Sequence, residues 1–550
     1  MTTPTTTQDT NIAVHTVSSP GSDPPVSPEQ LEVEEPGVSE ENIIYPSGPK
    51  LWLTMASLCL SIFLNGLDLT IVAVAVPSLT DKFKTIADIG WYSAAYGLVA
   101  SAFVFFFGKV YTLFPMKSVF MLGVAVFEVG SLLCTFATNS KMFIVGRAVA
   151  GLGVSAVGGG FLKLLKHLFP LHKQALMGSI VGGCQSVGLV SAPIIGGALI
   201  DSFTWRACFG INIPLGVICI ALIAYGFEDP LPNPNAQMPF REKLKQMDLF
   251  GTLIAVPAIT FLLLALQWGG TTYGWKNPII IVFFVLAGCL VLAFGYVQYR
   301  QGDTATLPPR IAKQRSMIAG VWYTACCNGV LAVTEYYISI YFQGVRGYTA
   351  TKSGLLGLPM IIGFSVALLA AGMGVTWLGY YFPFPAFMLA TSILAPVASG
   401  LLTTIDLQGS IVKAAALLGF VGVAIGLGIQ GPQLAVQTVL DAKDVSMGSA
   451  MIVFGAGMGS ALWVCTSATL FHQRLIAEIN QSSPTTNATA LSHLGLSDIR
   501  SHIGSERLNA VLNWYNRAVV QTLYLPLALS ILTIVGSSAM ERRSIKKKQG

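Results

Sequence analysis

The sequence predicts an all-α polytopic membrane protein with fourteen transmembrane helices. Three observations predict it. Of the 550 residues, 53% are hydrophobic and only 11% charged, whereas a soluble domain carries about 25% charged residues. The mean hydropathy is +0.66. Fourteen separate apolar stretches reach the roughly 20 residues needed to cross a bilayer core of about 30 Å. The same balance excludes an ordinary soluble enzyme, a disordered chain and a protein built on disulfides. The nine cysteines are scattered in or beside apolar segments with no CxxC or His/Cys cluster. Neither a zinc site nor any other metal or cofactor is expected.

Residues 1–49 hold eight acids and eight prolines and no Lys or Arg. Such a segment cannot bury enough apolar surface to offset its ordering entropy. It reads as a disordered acidic cytoplasmic tail, a solvated segment with a regulatory role as the alternative. It lacks the basic and apolar regions of a signal peptide. The expected spans are 51–77, 90–108, 118–138, 142–162, 175–200, 208–226, 248–268, 277–297, 316–343, 352–374, 381–403, 411–431, 447–471 and 518–538. Between the sixth and seventh, 227–247 reads as a polar cytoplasmic linker, and 541–550 as a basic cytoplasmic tail.

An even number of spans puts both ends on one side. With the termini cytoplasmic, nineteen basic residues fall inside and twelve outside, Arg147 being within a helix. Positive residues favour the cytoplasmic side, so this orientation is expected. A long extracellular loop over 472–516 then carries Asn480 and Asn487 in N-x-[ST] glycosylation sequons on the outer side.

Charges within the hydrocarbon layer are costly and mark cavities or partners. Asp68, Glu128, Arg147 and Glu335 are such residues. At 1.5 Å per residue, Asp68 lies about 14 Å and Arg147 about 9 Å below the outer surface. Their depth and opposite charge predict an interaction, as a proton-coupling site or a structural ion pair. Glu128, near the middle of the third span, is a carboxyl among apolar neighbours, where charge is disfavoured. It is a candidate proton carrier or substrate-cation contact, with a structural role as the alternative. Glu335 sits in span 9 at a depth similar to Asp68 in span 1. With Tyr336, Tyr337 and Tyr341 as stacking surface, it is expected in a substrate cavity. The alternative is a pairing with a nearby basic group. Span 5 combines Gly178, Gly182 and Gly188 with Pro193, Gly196 and Gly197. Small residues allow close helix approach, and proline permits a kink.

LDLTIVAVAVP (67–77) resembles the first-helix motif of the fourteen-span drug:proton antiporters of the major facilitator superfamily. GRAVAGLG (146–153) resembles their fourth-helix Arg motif, and GLVSAPIIGG (188–197) their fifth-helix antiporter motif. TWRACFGINIPLG (204–216) is similar to the signature before their sixth span. FEVGS (127–131), LALQWGG (264–270) and YFQGVRGYTATKSG (341–354) resemble the fungal toxin and multidrug efflux branch. The chain departs from the family pattern at Ala73 and Ala192, and in 108–117, which holds no acid where the family's loop carries an Asp.

The resemblance implies a major facilitator fold. One six-helix bundle spans 50–226 and a second 301–540, with two inserted helices in 248–300. It implies proton-coupled export of a small hydrophobic molecule by alternating access, from a monomer in the cell membrane or a vacuolar or vesicle membrane. A proton-coupled importer, such as a siderophore or nutrient symporter, is the alternative. No nucleophile–base pair, phosphate loop or nucleic-acid surface appears, so neither catalysis nor nucleic-acid binding is expected.

Overall fold

The computed structural model of the chain describes residues 48–541 except 86–87, 170, 230–238, 240–248, 271–272, 303–304, 306, 378–382, 441–443 and 483–504. Among the described residues, fourteen helical segments are long and apolar enough to cross a membrane. The first seven helices are α1 (Pro49–Phe83), α2 (Ile89–Leu113), α3 (Met116–Thr135), α4 (Ser140–Leu168), α5 (Leu171–Ser202), α6 (Trp205–Gly210) and α7 (Asn212–Gly226). Two more, α8 (Leu249–Trp268) and α9 (Pro278–Gln301), precede the short α10 (Pro309–Ala312). Then follow α11 (Arg315–Ile340), a π turn at Tyr341–Val345, α12 (Ala350–Trp377), α13 (Pro383–Leu402), α14 (Ile411–Gly426) and α15 (Gly431–Val439). The last are α16 (Val445–Ser482), α17 (Ser505–Thr522) and α18 (Tyr524–Ala539).

Local chemistry starts several of these helices. Asn139 accepts from the Met142 amide at 2.8 Å, and Asn277 from the Ile279 amide with Pro278 behind it. Each satisfies a backbone donor that the first helical turn leaves open. The helices then sort by packing. α1 packs on α5 and α7, α2 on α4, and α3 on α4 and α7. The same pattern recurs later: α11 packs on α16 and α18, α12 on α14, and α13 on α14 and α18. The two sets meet along α2–α16 and α5–α12, with α1 against α11. α8 lies against both α2 and α16, and α9 packs on α8. Only Ile280, Ala287 and Gln298 of α9 are buried, so nearly its whole apolar circumference is left for lipid.

The end of the bundle that bears Phe83, Ile89, Thr135, Ser140 and Ser202 is called the far end; Pro49 and Ala539 lie at the terminal end. At the terminal end Lys50 pairs with Glu228 at 2.5 Å, and the Lys117 amide donates to Asp229 at 2.9 Å. Both acids open the expected 227–247 linker, most of which lies outside the described residues, as do residues 1–47 and 542–550. The lysine beside Glu228 holds its exposed carboxyl below the usual carboxylate range.

Two expectations on element ends differ from the structure. The sixth span is broken at Ile211 into α6 and α7. The expected loop over 472–516 is helical at both ends, because α16 runs on to Ser482 and α17 begins at Ser505. The reason is an apolar stripe hidden among polar residues. Phe471, Leu475 and Ile479 recur every four residues and are buried in one cluster with Val511, Trp514 and Tyr515 of α17. Asn480 is thus an exposed helical residue. Asn487 lies outside the described residues.

Candidate functional site: a buried ion pair beside a seam between two helix sets

α1 and α4 bring Asp68 and Arg147 together. Arg147 Nη1 donates to Asp68 Oδ2 at 2.7 Å, and both residues are 1% exposed. The guanidinium is held from three sides. Its Nε donates to the Tyr92 carbonyl at 3.1 Å, and its carbon lies 4.3 Å above the centre of the Tyr96 ring. The Tyr96 hydroxyl donates in turn to Asn65 Oδ1 at 3.0 Å. The other carboxylate oxygen of Asp68 accepts from Asn212 Nδ2 at 3.3 Å, and Asn212 also donates to Ser131 Oγ at 3.3 Å. A buried pair is stable only when its remaining polar atoms are satisfied, and this shell supplies most of them. Asn212 stands at the start of α7, where the break at Ile211 turns it inward; its Oδ1 has no partner among the described residues.

Glu128 of α3 is buried beside this network. Among the described residues, neither carboxyl oxygen meets a partner. The space facing it exists because residue 216 is glycine: a Cβ there would collide with Glu128 Oε1. Asp68 and Cys219 are within electrostatic reach. Among the described residues no donor compensates an ionised carboxylate at this place.

The span-5 residues divide between two interfaces. Gly188 and Gly196 face α1: a Cβ at 188 would lie 2.9 Å from the Leu67 amide nitrogen, and one at 196 would lie 2.8 Å from Ile71 Cγ1. Gly197 and Pro193 face α12 across the seam. A Cβ at 197 would lie 2.5 Å from Thr351 Cα, and one at Gly354 2.8 Å from the Pro193 carbonyl carbon. Asp201, one turn further, accepts from the Thr351 amide at 3.0 Å and from its hydroxyl. Gln343 of the π turn donates to the Val74 carbonyl at 3.2 Å. These contacts close the seam at the far end. Towards the terminal end, a Cβ added at Gly183 or Gly357 would meet no atom of the described residues within 4 Å.

A narrow cleft opens at the same seam, between Ala73 of α1, Pro193 of α5, Glu335 of α11, Gly357 and Met360 of α12, and Leu418 of α14. Glu335 makes no hydrogen bond or ion pair among the described residues, so the expected alternative of a basic partner does not occur there. Tyr336, Tyr337 and Tyr341 do not line this cleft. They are 3%, 1% and 2% exposed. On a helix of 100° per residue, positions 338 and 339 share the face of 335, whereas 336, 337 and 341 turn away. Tyr337 packs on Phe471 at 5.3 Å, and Tyr341 donates to the Asp406 carbonyl at 2.8 Å.

Comparison with known proteins fits this arrangement. The sequence model described as "Major Facilitator Superfamily" matches residues 58–464. The chain belongs to the major facilitator superfamily. Members similar to it include the efflux pump roqT of Penicillium rubens, 38% identical over 496 residues, covering 90% of this chain and 91% of that protein. The aspyridones efflux protein of Neocamarosporium betae is 37% identical over 509 residues, with 92% and 89% covered. The MFS thioclapurine efflux transporter tcpA of Claviceps purpurea is 36% identical over 516 residues, with 93% and 94% covered. Among solved structures, a D-xylose–proton symporter aligns with a TM-score of 0.57 at 12% identity, covering 90% of this chain and 98% of that one. That likeness concerns the fold. The superfamily resemblance carried by the motifs at 67–77, 146–153 and 188–197 is thereby shown.

Two features of the site were not singled out from the sequence. Asn212 sat inside a recognised signature without a role, and its contact with Asp68 depends on the break at Ile211. The Asp201–Thr351 tie joins residues 150 apart that are each unremarkable alone.

Proposed function

We propose that this superfamily member is a proton-coupled exporter of a small hydrophobic molecule, such as a toxin, secondary metabolite or drug, working by alternating access. The observation that carries the proposal is the buried Asp68–Arg147 pair beside the seam at which the two helix sets meet. A carboxylate buried against an arginine has two states with different partners. Ionised, Asp68 holds Arg147; protonated, it releases a guanidinium that must find new acceptors. Protonation thus becomes a change in packing. Glu128 stands as a second carrier, and the Glu335 cleft as the place where substrate meets both sets. Export is supported by the relatives above, which are named as efflux proteins.

In the orientation favoured by the positive residues, the termini are cytoplasmic and the far end is extracellular. The contacts at Gly197, Asp201 and Gln343 support a state closed to the outside. Substrate would then enter from the cytosol or inner leaflet. The protein acts as a monomer in the cell membrane, without cofactor or chemistry on the substrate. One proton moving down 100 mV releases about 2.3 kcal/mol, and a gradient of one pH unit adds about 1.4 kcal/mol. One-for-one exchange could therefore sustain a gradient of roughly several hundredfold.

The test is metabolite accumulation in cells with and without the gene, each with and without a protonophore. Export predicts that loss of the gene raises a hydrophobic metabolite inside the cell, and that the protonophore does the same only when the gene is present. Lower intracellular metabolite on deletion would instead mark an importer.

A further inference from the structure

A stack of aromatic rings runs from the far end of the first helix set to the buried ion pair. At its outer edge Arg206 of α6 lies 4.4 Å over the Trp205 ring, and its Nη2 donates to the Ala137 carbonyl at 2.8 Å. Between ring centres, Trp205 is 5.5 Å from Phe83 of α1 and 5.9 Å from Phe143 of α4. Phe143 is the hub. It also meets Phe83 at 6.2 Å, Tyr92 of α2 at 5.2 Å and Phe209 of α6 at 5.1 Å. The Phe209 ring centre is in turn 5.9 Å from the guanidinium carbon of Arg147. Phe143 and Phe209 are 0% exposed and Trp205 5%. On α4, Phe143 lies one turn nearer the far end than Arg147, about 6 Å. Edge-to-face rings attract one another, and a guanidinium over a ring is held by cation–π attraction. The stack is thus closed at both ends by an arginine.

All five rings belong to the first set. The contacts of Gly197 and Gln343 join one set to the other and can part when the sets move. A cluster built from α1, α2, α4 and α6 has no such parting line. Its backbone is fixed as well, since Cys134 Sγ donates to the Phe143 carbonyl at 3.7 Å. One polar chain enters from outside: Ser140 Oγ donates to Asp88 Oδ2 at 2.5 Å and shares a hydrogen bond of 3.2 Å with the Tyr92 hydroxyl. It ends on the Tyr92 ring.

We propose that these rings form a permanent proton barrier between the far-end surface and Asp68, with Phe143 at its centre and the charge of Arg206 on its outer face. The inference rests on the reading of Asp68 as the proton site. A carboxyl open to both sides at once would pass protons without substrate. An apolar constriction excludes water, and a fixed arginine charge opposes an entering cation. With the first set sealed in this way, a proton from the far end reaches Asp68 only when the two sets part at the seam. Proton and substrate then share one gate, and their coupling follows from the packing of one bundle.

The experiment uses no substrate. The purified full chain is placed in liposomes that contain a trapped pH-sensitive dye, the membrane potential is clamped, and the outside is acidified. The wild type should acidify the lumen slowly. Phe143→Ala should raise the rate at least about tenfold, a barrier lower by about 1.4 kcal/mol. Should this variant fail to fold, Phe143→Leu, which loses less volume, is expected to raise it at least about threefold. Phe471→Ala removes a buried ring of the second set and should leave the rate as it is, as should Ser140→Ala, which cuts the hydroxyl chain. Adding Asp68→Asn to the leaking variant should restore the slow rate. A wild-type rate in the folded Phe143 variant overturns the inference, as do an equal leak in Phe471→Ala or Ser140→Ala and a leak that survives Asp68→Asn. Asp68→Asn alone, assayed for export, tests the underlying reading. Export that stays sensitive to a protonophore in that variant would refute Asp68 as the proton site, whatever the leak.

Discussion

Gly197→Ala adds one methyl group at a close approach across the seam. Its Cβ would sit 2.5 Å from Thr351 Cα and 2.7 Å from the Thr351 nitrogen. Both are backbone atoms at the start of α12, so no flexible side chain can swing aside. One turn on, Asp201 ties the same amide at 3.0 Å, which limits sliding. Overpacking of this kind costs about 1–3 kcal/mol. The clash exists only while α5 and α12 are apposed, so it weighs on the far-closed state and not on either helix set alone. At about 2 kcal/mol, the equilibrium moves roughly 30-fold away from closure. Hydrogen–deuterium exchange of the purified protein reads this directly. The amides at 350–357 should exchange roughly 30-fold faster, while those of α1 around Gly66, which face α5 within one set, keep their protection. Export should slow, because a transporter that reseals poorly leaks its gradient. Unchanged exchange at 350–357 in a well-folded variant would show that this contact does not hold the seam shut.

Three further substitutions address the carboxyls and their partner. Arg147→Ala leaves Asp68 buried without its cation, a loss of about 3–5 kcal/mol; it should abolish proton-driven transport while membrane expression, checked by surface labelling, persists. Glu128→Gln keeps the shape facing Gly216 and removes the titratable group. Transport by this variant should lose its dependence on the pH gradient, and a pH profile equal to wild type would assign Glu128 a structural role. Glu335→Gln should change transport selectively across a panel of cationic and neutral substrates, since its carboxyl lines the cleft; a uniform loss, or none, would argue against contact with substrate.

The fourteen spans were legible because each is a long apolar run, and the mid-membrane charges stand out against such a background. Asp68 and Arg147 could be paired in advance from depth and sign alone. The end of α16 was less legible. Residues 472–482 contain His472, Arg474, Glu478 and Asn480, and hydropathy averages over them, whereas the structure buries Leu475 and Ile479 in the core on one face. The tyrosines after Glu335 illustrate the opposite error. Proximity in sequence suggested a common cavity, but successive helical residues diverge by 100°. The span-5 glycines were recognised as a packing device. That 188 and 196 serve one neighbour and 197 another depends on helix rotation, which a pattern of small residues on its own leaves open. Asn212 escaped notice for a related reason: a polar residue at a helix start usually reads as a cap, and here it reaches a carboxylate 144 positions away.

The proton-coupling role of the buried pair can be measured in cells lacking the native gene and carrying either the wild type or Asp68→Asn. The quantity is the ratio of extracellular to intracellular metabolite, taken with and without a protonophore, with membrane abundance matched by surface labelling. The expected ratio for Asp68→Asn equals that of the gene-less cells and is insensitive to the protonophore, while the wild-type ratio is high and collapses when the protonophore is added. An Asp68→Asn protein that exports as well as the wild type, and remains sensitive to the protonophore, would place proton coupling elsewhere in the molecule.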